Sequence, residues 1–362
     1  MGVDLIRNLP SEIILNILSR LDACTATRGK CVCKLWLDSL TTPEFVKSQS
    51  VPGLIVEINQ ISFKYKMVEF VDEPDHNCDW HRLNIVFNLD LPSPTPNHIH
   101  SSTNGLILLI DGRKYGRLTV CNPITREYIT FPRPLPLPPG IPWEIYGFGV
   151  SRTGGQYKVV RVSAGKPPCV SISGELECQV YTVGSGSWRR LASCIWSTLL
   201  SYNLMMTFLC GHLHWWTRKD VSAPRQISRL DLETELFSTF SDPPFDDRHE
   251  TRYSRYLCIS SDCLCVCNDL RMEIDIWVMK VCGDETSWTK EVSIRKVDIV
   301  NGDVLLLWKL SKPLYHYYSS TTKTFEKVDW FDLEDCLVYR ITHYTPSFLS
   351  LKTFATENVT SF

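Results

Sequence analysis

Histidines and cysteines in this sequence alternate with other residues in a way that would place metal-binding groups on one face of a strand. They are Cys263, Cys265 and Cys267, with Cys258 nearby, and the pairs His98–His100 and His212–His214. Residues two apart share a strand face because successive side chains point to opposite sides. Zinc sites are usually built from C-x-x-C pairs or from further histidines at defined spacing, and the sequence has no such pairing. We therefore expect buried reduced thiols and no bound metal or other cofactor.

Paired carboxylates, which enzymes use for general acid–base chemistry, stand at Asp246–Asp247 and Glu334–Asp335. Loops carry such pairs routinely as solvated charges. The sequence contains no serine-nucleophile elbow, no H-E-x-x-H motif and no phosphate loop. Its nearest approach to the aspartate box of a sialidase-type glycan hydrolase, Gly283–Trp288, shares little beyond the Asp and the Trp. We expect a binding protein without catalytic residues.

The charge balance bears on the class of partner. The chain has 38 Lys and Arg against 40 Asp and Glu, so its formal net charge is −2. It therefore lacks the basic excess typical of nucleic-acid binding, and we expect no nucleic-acid partner. Apolar residues make up 44% of the 362 residues and include eleven Trp, enough material for a sizeable core.

Cysteine usage and targeting signals bear on the compartment. Fifteen cysteines would suggest disulfides in a secreted protein, but the first ten residues show no basic region followed by an apolar one. A myristoylation signal would need Ser or Thr where the chain has Ile6. The uncharged stretch between Arg190 and Arg218 is interrupted by polar residues, which favours buried strands over a membrane span. We expect a cytoplasmic or nuclear protein that does not associate with membranes.

The first fifty residues predict three short helices. The apolar positions of the first are Ile13, Ile14, Ile17, Leu18 and Leu21, at helical spacing after Pro10. Further helices are predicted over about 23–31 and 33–40. The apolar arc of the first helix is wider than one internal face requires, and fifty residues are few for an independent core. We expect a partner or a neighbouring domain to cover it.

This segment resembles the F-box motif over about residues 5 to 46. The matching elements, in order, are Leu9–Ile14, Ile17–Leu21, Arg28–Trp36 and Pro43–Phe45. The F-box family binds the Skp adaptor of cullin-based ubiquitin ligases, so the resemblance implies that adaptor, and cullin through it, as partners. The positions that match the family's adaptor contact and the small core beneath it are Leu9, Pro10, Ile13, Ile14, Ile17, Leu18, Val32 and Trp36.

Three residues depart from the family pattern. Asp22, Ala26 and Gly29 stand where the family usually has Pro, Leu and a large residue. A Gly within a helix costs roughly 1 kcal/mol relative to Ala, and truncating a packed Leu to Ala costs a few kcal/mol. We therefore expect a packing defect in the second helix, which Ala26→Leu with Gly29→Phe would relieve.

After Pro52 the pattern changes to short alternating runs between Gly, Pro, Asp and Ser clusters, which predicts an all-β region. A turn followed by an aromatic residue recurs at intervals of 60, 49, 51 and 37 residues. Spacings of roughly 40 to 50 residues match the blade period of a β-propeller. These aromatics are Tyr128, Trp188, Phe237, Trp288 and Phe325.

We predict an α+β multidomain protein, with an F-box over residues 1–50 and an all-β propeller-like domain over residues 51–362. A two-sheet sandwich is the alternative. Residues 54–58 are expected to pair with 336–339 or 348–354.

The β region also resembles the F-box-associated domain common in plant F-box proteins, over about residues 100 to 330. The elements that carry the resemblance include Val120–Glu127, Tyr146–Gly149, Gly211–Trp215 and Leu230–Glu235. It implies a kelch-like or propeller-like domain that recruits a substrate. The Pro-rich run 131–142 contains PxxP patterns that could bind an SH3-like groove, but a stiff loop between blades is favoured.

Two segments, 72–81 and 246–255, are too long and polar for tight turns. The second carries Arg248, Arg252, Tyr253 and Arg255, residue types enriched in binding hot spots, and predicts a target-binding loop. An ordinary solvated loop is the alternative. The two resemblances together imply a substrate-recognition subunit of a Skp-cullin-F-box ubiquitin ligase, which would hold a target near a ubiquitin-conjugating enzyme. The competing hypothesis is a protein- or glycan-binding propeller outside the ligase, with a degenerate F-box.

Overall fold

The computed structural model of the chain describes residues 10–21, 23–42, 45, 53–58, 64–70, 83–92, 97–111, 117–135, 143–164, 177–191, 206–218, 223–244, 254–260, 262–269, 273–295, 316–318, 325–327, 338–354 and 356–362. The predicted run Val304–Trp308 and the loop 72–81 lie outside these residues. In the described part of the chain, no helix is long and apolar enough to cross a membrane.

Three short helices come first, as predicted. They are α1 (Ser11–Leu18), α2 (Ala23–Gly29) and α3 (Lys34–Leu40). Pro10 precedes α1 with φ −55°, and its carbonyl accepts hydrogen bonds from the amides of Ile13 and Ile14 at 3.0 and 3.2 Å. The proline ring fixes a φ that suits the start of a helix, and its missing amide is one that the first turn would leave unpaired anyway.

Strands make up nearly all of the remaining secondary structure. In chain order they are β1 (Gly53–Ile58), β2 (Lys64–Phe70), β3 (Leu83–Leu89), β4 (Asn97–Thr103), β5 (Leu106–Asp111), β6 (Leu118–Asn122), β7 (Glu127–Thr130), β8 (Trp143–Val150), β9 (Tyr157–Ala164), β10 (Glu177–Thr182), β11 (Trp188–Arg190), β12 (Thr207–Leu209), β13 (His212–Arg218), β14 (Arg225–Asp231), β15 (Phe237–Ser241), β16 (Ser254–Ser260), β17 (Cys263–Asp269), β18 (Glu273–Met279), β19 (Trp288–Arg295), β20 (His316–Tyr318), β21 (Phe325–Lys327), β22 (Val338–Tyr344) and β23 (Val359–Ser361). The predicted fold class, short N-terminal helices followed by an all-β propeller-like domain, is confirmed.

The chain divides into two compact units. Unit 1 comprises residues 1–131 and 300–362. It contains the three helices, a sheet of order β22-β1-β2-β3, a sheet of order β23-β7-β6-β5-β4 and the hairpin β20-β21. Its β core is a cluster in which Ile55 and Met67 of one sheet pack with Ile107 and Leu109 of the other.

Unit 2 comprises residues 132–299 and holds three four-stranded antiparallel sheets, β8–β11, β12–β15 and β16–β19. The first two pack so closely that β8 needs glycines. A Cβ on Gly147 would lie 2.6 Å from Met206 Sδ, and one on Gly149 would collide with Phe208. The Tyr-Gly-Phe-Gly run therefore reflects a sheet whose neighbour rests directly on its backbone.

The recurring turn-plus-aromatic pattern is confirmed as a structural repeat. Each of the five aromatics lies in the second strand of an antiparallel pair, β6-β7, β10-β11, β14-β15, β18-β19 and β20-β21. The Nε1 of Trp188 donates to the Pro132 carbonyl at 2.8 Å, and that of Trp288 donates to the Ser241 carbonyl at 3.2 Å. These buried indoles thus satisfy their polar atom on the backbone of an earlier segment.

The ends of the chain meet in unit 1. β1 pairs antiparallel with β22, so the expectation that a segment near residues 336–339 would pair with residues 54–58 is confirmed from Val338 onward. The other candidate, residues 348–354, does not form that pairing, because Leu351–Thr353 is a short 3-10 helix. β23 instead adds a fifth strand beside β7.

Truncation tests how much the fold depends on these pairings. A variant that ends at residue 337 lacks β22 and should aggregate, because the edge of β1 becomes an open template for another chain. A matched variant that ends at residue 358 loses only β23 and should stay monomeric, with about 2 kcal/mol less stability. Size-exclusion chromatography with light scattering and thermal unfolding measure both. A monomeric, normally melting 1–337 variant would show that β22 is dispensable.

Candidate functional site

The three helices enclose a small apolar cluster. Its buried members are Ile14, Leu18, Ala26, Leu40 and Phe45, which are at most 3% exposed. Spacing of four residues places Ile14 and Leu18 on one face of α1, which packs toward α3. We call this set the helical cluster.

Four large apolar side chains of the same segment remain exposed. Ile13 is 46% exposed, Ile17 50%, Val32 63% and Leu37 42%. Ile13 and Ile17 share a face of α1 by their four-residue spacing, whereas Val32 precedes α3 and Leu37 lies within it. We call these four residues the apolar helical surface. Contiguous exposed apolar side chains, such as Ile13 and Ile17 on one face of α1, are typical of a protein-binding surface.

The structure separates the eight predicted adaptor positions into groups. Ile14 and Leu18 belong to the helical cluster, Trp36 is half-buried against it, and Ile13, Ile17, Val32 and Pro10 are exposed. Leu9 lies outside the described residues. Their role in binding an adaptor stays a prediction. Sequence reasoning missed Leu37, because its three-residue spacing from Leu40 places it beside the buried face of α3 and only the packed helices show that it is exposed.

The packing defect expected in the second helix is absent at Gly29. A Cβ there would lie 3.1 Å from Leu40 Cδ1 and 3.3 Å from Trp36 Cε3, closer than side chains normally approach. Gly29 therefore lets the α3 side chains rest on the backbone of α2, and Ala26 is fully buried in the helical cluster. A Phe at position 29 would require the side chains of Leu40 and Trp36 to move, and the effect of Gly29→Phe stays a prediction. Asp22 lies outside the described residues.

The cysteine-rich hairpin β16-β17 is built as a packing element. Cys265 lies opposite Cys258 across the two strands and is fully buried, and Cys267 is 6% exposed. A hydrogen bond with Cys265, together with burial, raises the pKa of the Cys258 thiol, so the Cys258 sulfur is a poor nucleophile. Among the described residues, no group of three His, Cys, Asp or Glu side chains could hold a metal ion.

The two histidines of β13 have separate environments. His212 Nε2 lies 3.4 Å from Asp231 Oδ2, and Arg152 Nη2 lies 3.1 Å from its Nδ1. His214 is fully buried, with Nδ1 3.4 Å from the Thr207 carbonyl, and its Nε2 has no hydrogen-bond partner among the described residues. Burial lowers the pKa of His214 to about 3, so it is neutral at pH 7.

Arg255 is the one member of the predicted target-binding set within the described residues. Its Nη1 pairs with Asp242 Oδ2, and both side chains are largely buried. Arg248, Arg252 and Tyr253 lie outside the described part of the chain. The role of this loop in target binding stays a prediction, to which the structure adds an intramolecular partner for Arg255.

The start of the Pro-rich run is fixed to the β8–β11 sheet. The Gln179 amide accepts from the Leu135 N–H at 3.0 Å and donates to the Leu135 carbonyl at 3.2 Å. Arg161 Nη1 donates to the same carbonyl at 3.0 Å. These contacts support the interpretation of the run as a fixed loop. Residues 136–142 lie outside the described residues.

Comparison with known proteins defines the class. Residues 6–48 match the F-box-like family model, and residues 63–347 match the model described as the F-box associated beta propeller domain. The chain therefore belongs to the family of F-box proteins with an F-box-associated propeller domain. Proteins with this adaptor module are generally non-catalytic.

Its relatives include plant F-box proteins. F-box protein CPR1 of Arabidopsis thaliana is 26% identical over 360 residues, which cover 90% of this chain and 82% of that protein. A putative F-box protein of the same plant is 27% identical over 373 residues, with 93% and 86% covered. A mutant of Aleuria aurantia lectin in complex with alpha-methyl-L-fucoside overlaps with a TM-score of 0.35 and 10% identity over 80% of this chain and 95% of that one. A likeness at that level carries no argument.

Substitution of Gly29 tests the close packing of α2 on α3. Gly29→Phe should destabilise the helices by about 2 kcal/mol or more, because the ring would displace Leu40 and Trp36. Gly29→Ala should change stability by about 1 kcal/mol or less, since its gain in helix propensity opposes the tight contact. Hydrogen exchange of residues 11–40 measures both variants. Greater protection from exchange in Gly29→Phe than in wild type would show that α2 has room for a larger side chain at position 29.

Burial of neutral His214 predicts a pH dependence of stability. The folded-state pKa lies below the unfolded value of about 6.5, so the unfolded chain binds the extra proton and stability falls as the pH drops below 6.5 toward 3. Between pH 7 and pH 5 the loss from this one residue is about 2 kcal/mol. Urea unfolding of the wild type and of His214→Phe at both pH values measures it. An equal loss in the two proteins would assign the pH dependence to other groups.

Proposed function

We propose that this protein is a substrate-recognition subunit of a Skp-cullin-F-box ubiquitin ligase. Residues 1–50 would bind the Skp adaptor, and cullin through it, while residues 51–362 would recruit a target protein. The observation that carries the proposal is the exposed pair Ile13 and Ile17 on α1, in a segment that matches the F-box-like model. Burial of a few such apolar anchors supplies most of the binding energy of a typical interface.

The chain acts by proximity in this proposal. A target held beside a ubiquitin-conjugating enzyme has a high effective concentration, so this subunit needs no catalytic residue of its own. The proposal places the protein in the cytoplasm or nucleus, where buried thiols such as Cys121 and Cys178 stay reduced.

Loops of the propeller-like domain are the proposed site of target recruitment. Strands are committed to packing, whereas a loop can change its residues and length without disturbing a sheet. The proposed target-binding residues remain Arg248, Arg252, Tyr253 and Arg255. Because Arg255 pairs with Asp242, it would act by shaping the base of the loop rather than as a free cation.

Charge reversal on α1 tests the adaptor role. In Ile13→Asp with Ile17→Asp, two carboxylates would have to be desolvated at the interface, so the affinity for the Skp adaptor should fall about 100-fold or more. Both residues are already half-exposed, so the helices should stay folded. Co-purification with adaptor and cullin and calorimetric titration of the adaptor measure binding.

The matched control is Leu236→Asp, which changes an apolar residue that is 68% exposed but lies in unit 2. It should bind the adaptor as the wild type does. If Ile13→Asp with Ile17→Asp binds the adaptor with wild-type affinity, Ile13 and Ile17 do not contact the adaptor. A wild-type chain that binds neither adaptor nor cullin would favour the alternative, a protein- or glycan-binding propeller with a degenerate F-box.

A further inference from the structure

A short segment near the end of the chain is held across the turn between β6 and β7. We call residues 347–351 the strut. Asn122 Nδ2 donates to the carbonyls of Ser347 and Leu349 at 2.9 and 2.8 Å. At the other side of the turn, Glu127 Oε2 accepts from the Leu351 amide at 2.7 Å. Two side chains of one turn thus fix the strut backbone at both of its ends.

The neighbouring β4-β5 turn leaves room for the strut. Gly105, at φ +78°, stands where any Cβ would collide with Ser347. The Ser350 hydroxyl donates to Glu127 Oε2 at 3.0 Å, and Leu351 is fully buried. The strut is therefore packed on the β4–β7 sheet as well as hydrogen-bonded to it.

Phe348 lies between the two carbonyls that Asn122 holds and packs on the helical cluster. Its ring centroid is 6.1 Å from that of Phe45, and Lys30 Nζ lies 4.5 Å from the Phe348 ring centroid. A cation over an aromatic face and a tilted aromatic pair both favour one ring position. One side chain of a sheet-bound segment thus completes the core of the three helices.

Comparison of two equivalent turns shows what the amide of Asn122 contributes. Asn122 Oδ1 accepts from the amides of Ile124 and Thr125, and Asp231 Oδ1 accepts in the same way from those of Glu233 and Thr234. A carboxylate is therefore sufficient to accept the two backbone amides of such a turn. Only an amide can also donate to two carbonyls, so at position 122 the side chain serves the strut in addition to the turn.

We propose that the strut fixes the orientation of α1–α3, and with them the apolar helical surface, relative to the β4–β7 sheet, and that Asn122 and Phe348 are its positioning residues. The functional meaning rests on the adaptor role proposed above. Transfer by proximity requires that the adaptor-binding face and the target-binding domain keep a fixed geometry. Binding to the adaptor and orientation on the sheet are separate properties, and the strut controls the second.

The test measures orientation directly in the full-length chain. Spin labels attached through noncanonical amino acids at Asp38 in α3 and Arg117 before β6, both exposed, report the distance distribution by pulsed electron resonance. Phe348→Ala and Asn122→Asp should each widen the distribution about twofold, because a single packed arrangement becomes a set of hinged ones. Asn122→Asp keeps the turn acceptor and replaces only the donor, so it separates the strut from folding of the turn.

Two further variants serve as controls. Asp231→Asn exchanges a carboxylate for an amide in the β14-β15 turn, which does not hold the strut. It should leave the distance distribution unchanged. Phe348→Tyr keeps the ring and should restore the wild-type width. In Asn122→Asp, Asp231→Asn and Phe348→Tyr, the affinity for the Skp adaptor should stay within about threefold of wild type, because the core of the helices and the exposed surface are intact.

Unchanged widths in both Phe348→Ala and Asn122→Asp would overturn the inference. So would a loss of adaptor affinity in Asn122→Asp that equals the loss in the Ile13 and Ile17 variant, since the strut would then support the surface rather than orient it. Failure of the proposed function shows separately, as a wild-type chain that does not bind the adaptor, and the distance distributions still decide the role of the strut.

Discussion

The C-terminal segment pairs with the open edge of β1 and packs on the apolar side chains of the three helices. Neither the first sheet nor the helices could bury these groups alone. β1 would be an open edge, with a row of unpaired amides and carbonyls, if β22 did not pair with it. The helical cluster is too small to close around its own apolar side chains, and Phe348 packs on it. The fold of unit 1 therefore depends on contacts between residues almost a full chain length apart, which the C-terminal segment makes.

One type of turn meets two different needs in this protein. In the β6-β7 and β14-β15 turns, a side-chain oxygen accepts the amides of the next residues, as Asn and Asp commonly do in turns. The β14-β15 turn then uses carboxylates to receive an earlier segment, since Glu233 accepts the Thr153 and Gly154 amides. The β6-β7 turn receives carbonyls as well as amides, and therefore needs the donor that Asn122 provides.

Much of this fold could be predicted from the sequence, because helices and turns are determined by interactions between residues that are close in the chain. The helical spacing of Ile14 and Leu18 and the turn before Trp188 and Trp288 each involve residues close in sequence. Gly29 and Phe348 could not be interpreted in that way. The size allowed at position 29 is set by α3 side chains, and the function of Phe348 is set by helices more than three hundred residues earlier in the chain. Leu37 was missed because its exposure is a property of the packed helices.

The buried charges of unit 2 show how strongly its sheets are constrained. Lys158 Nζ donates to the Leu232 carbonyl at 2.6 Å and to Glu235 Oε1 at 2.7 Å, and Arg161 pairs with Glu144, with both basic side chains almost fully buried. Removing one member of such a pair leaves an uncompensated charge, so these residues hold sheet and turn in register and cannot vary to suit a ligand. Exposed side chains, such as those of the apolar helical surface, carry no such constraint. A binding protein of this construction can therefore change its partner by altering loops and helices while its sheets stay the same.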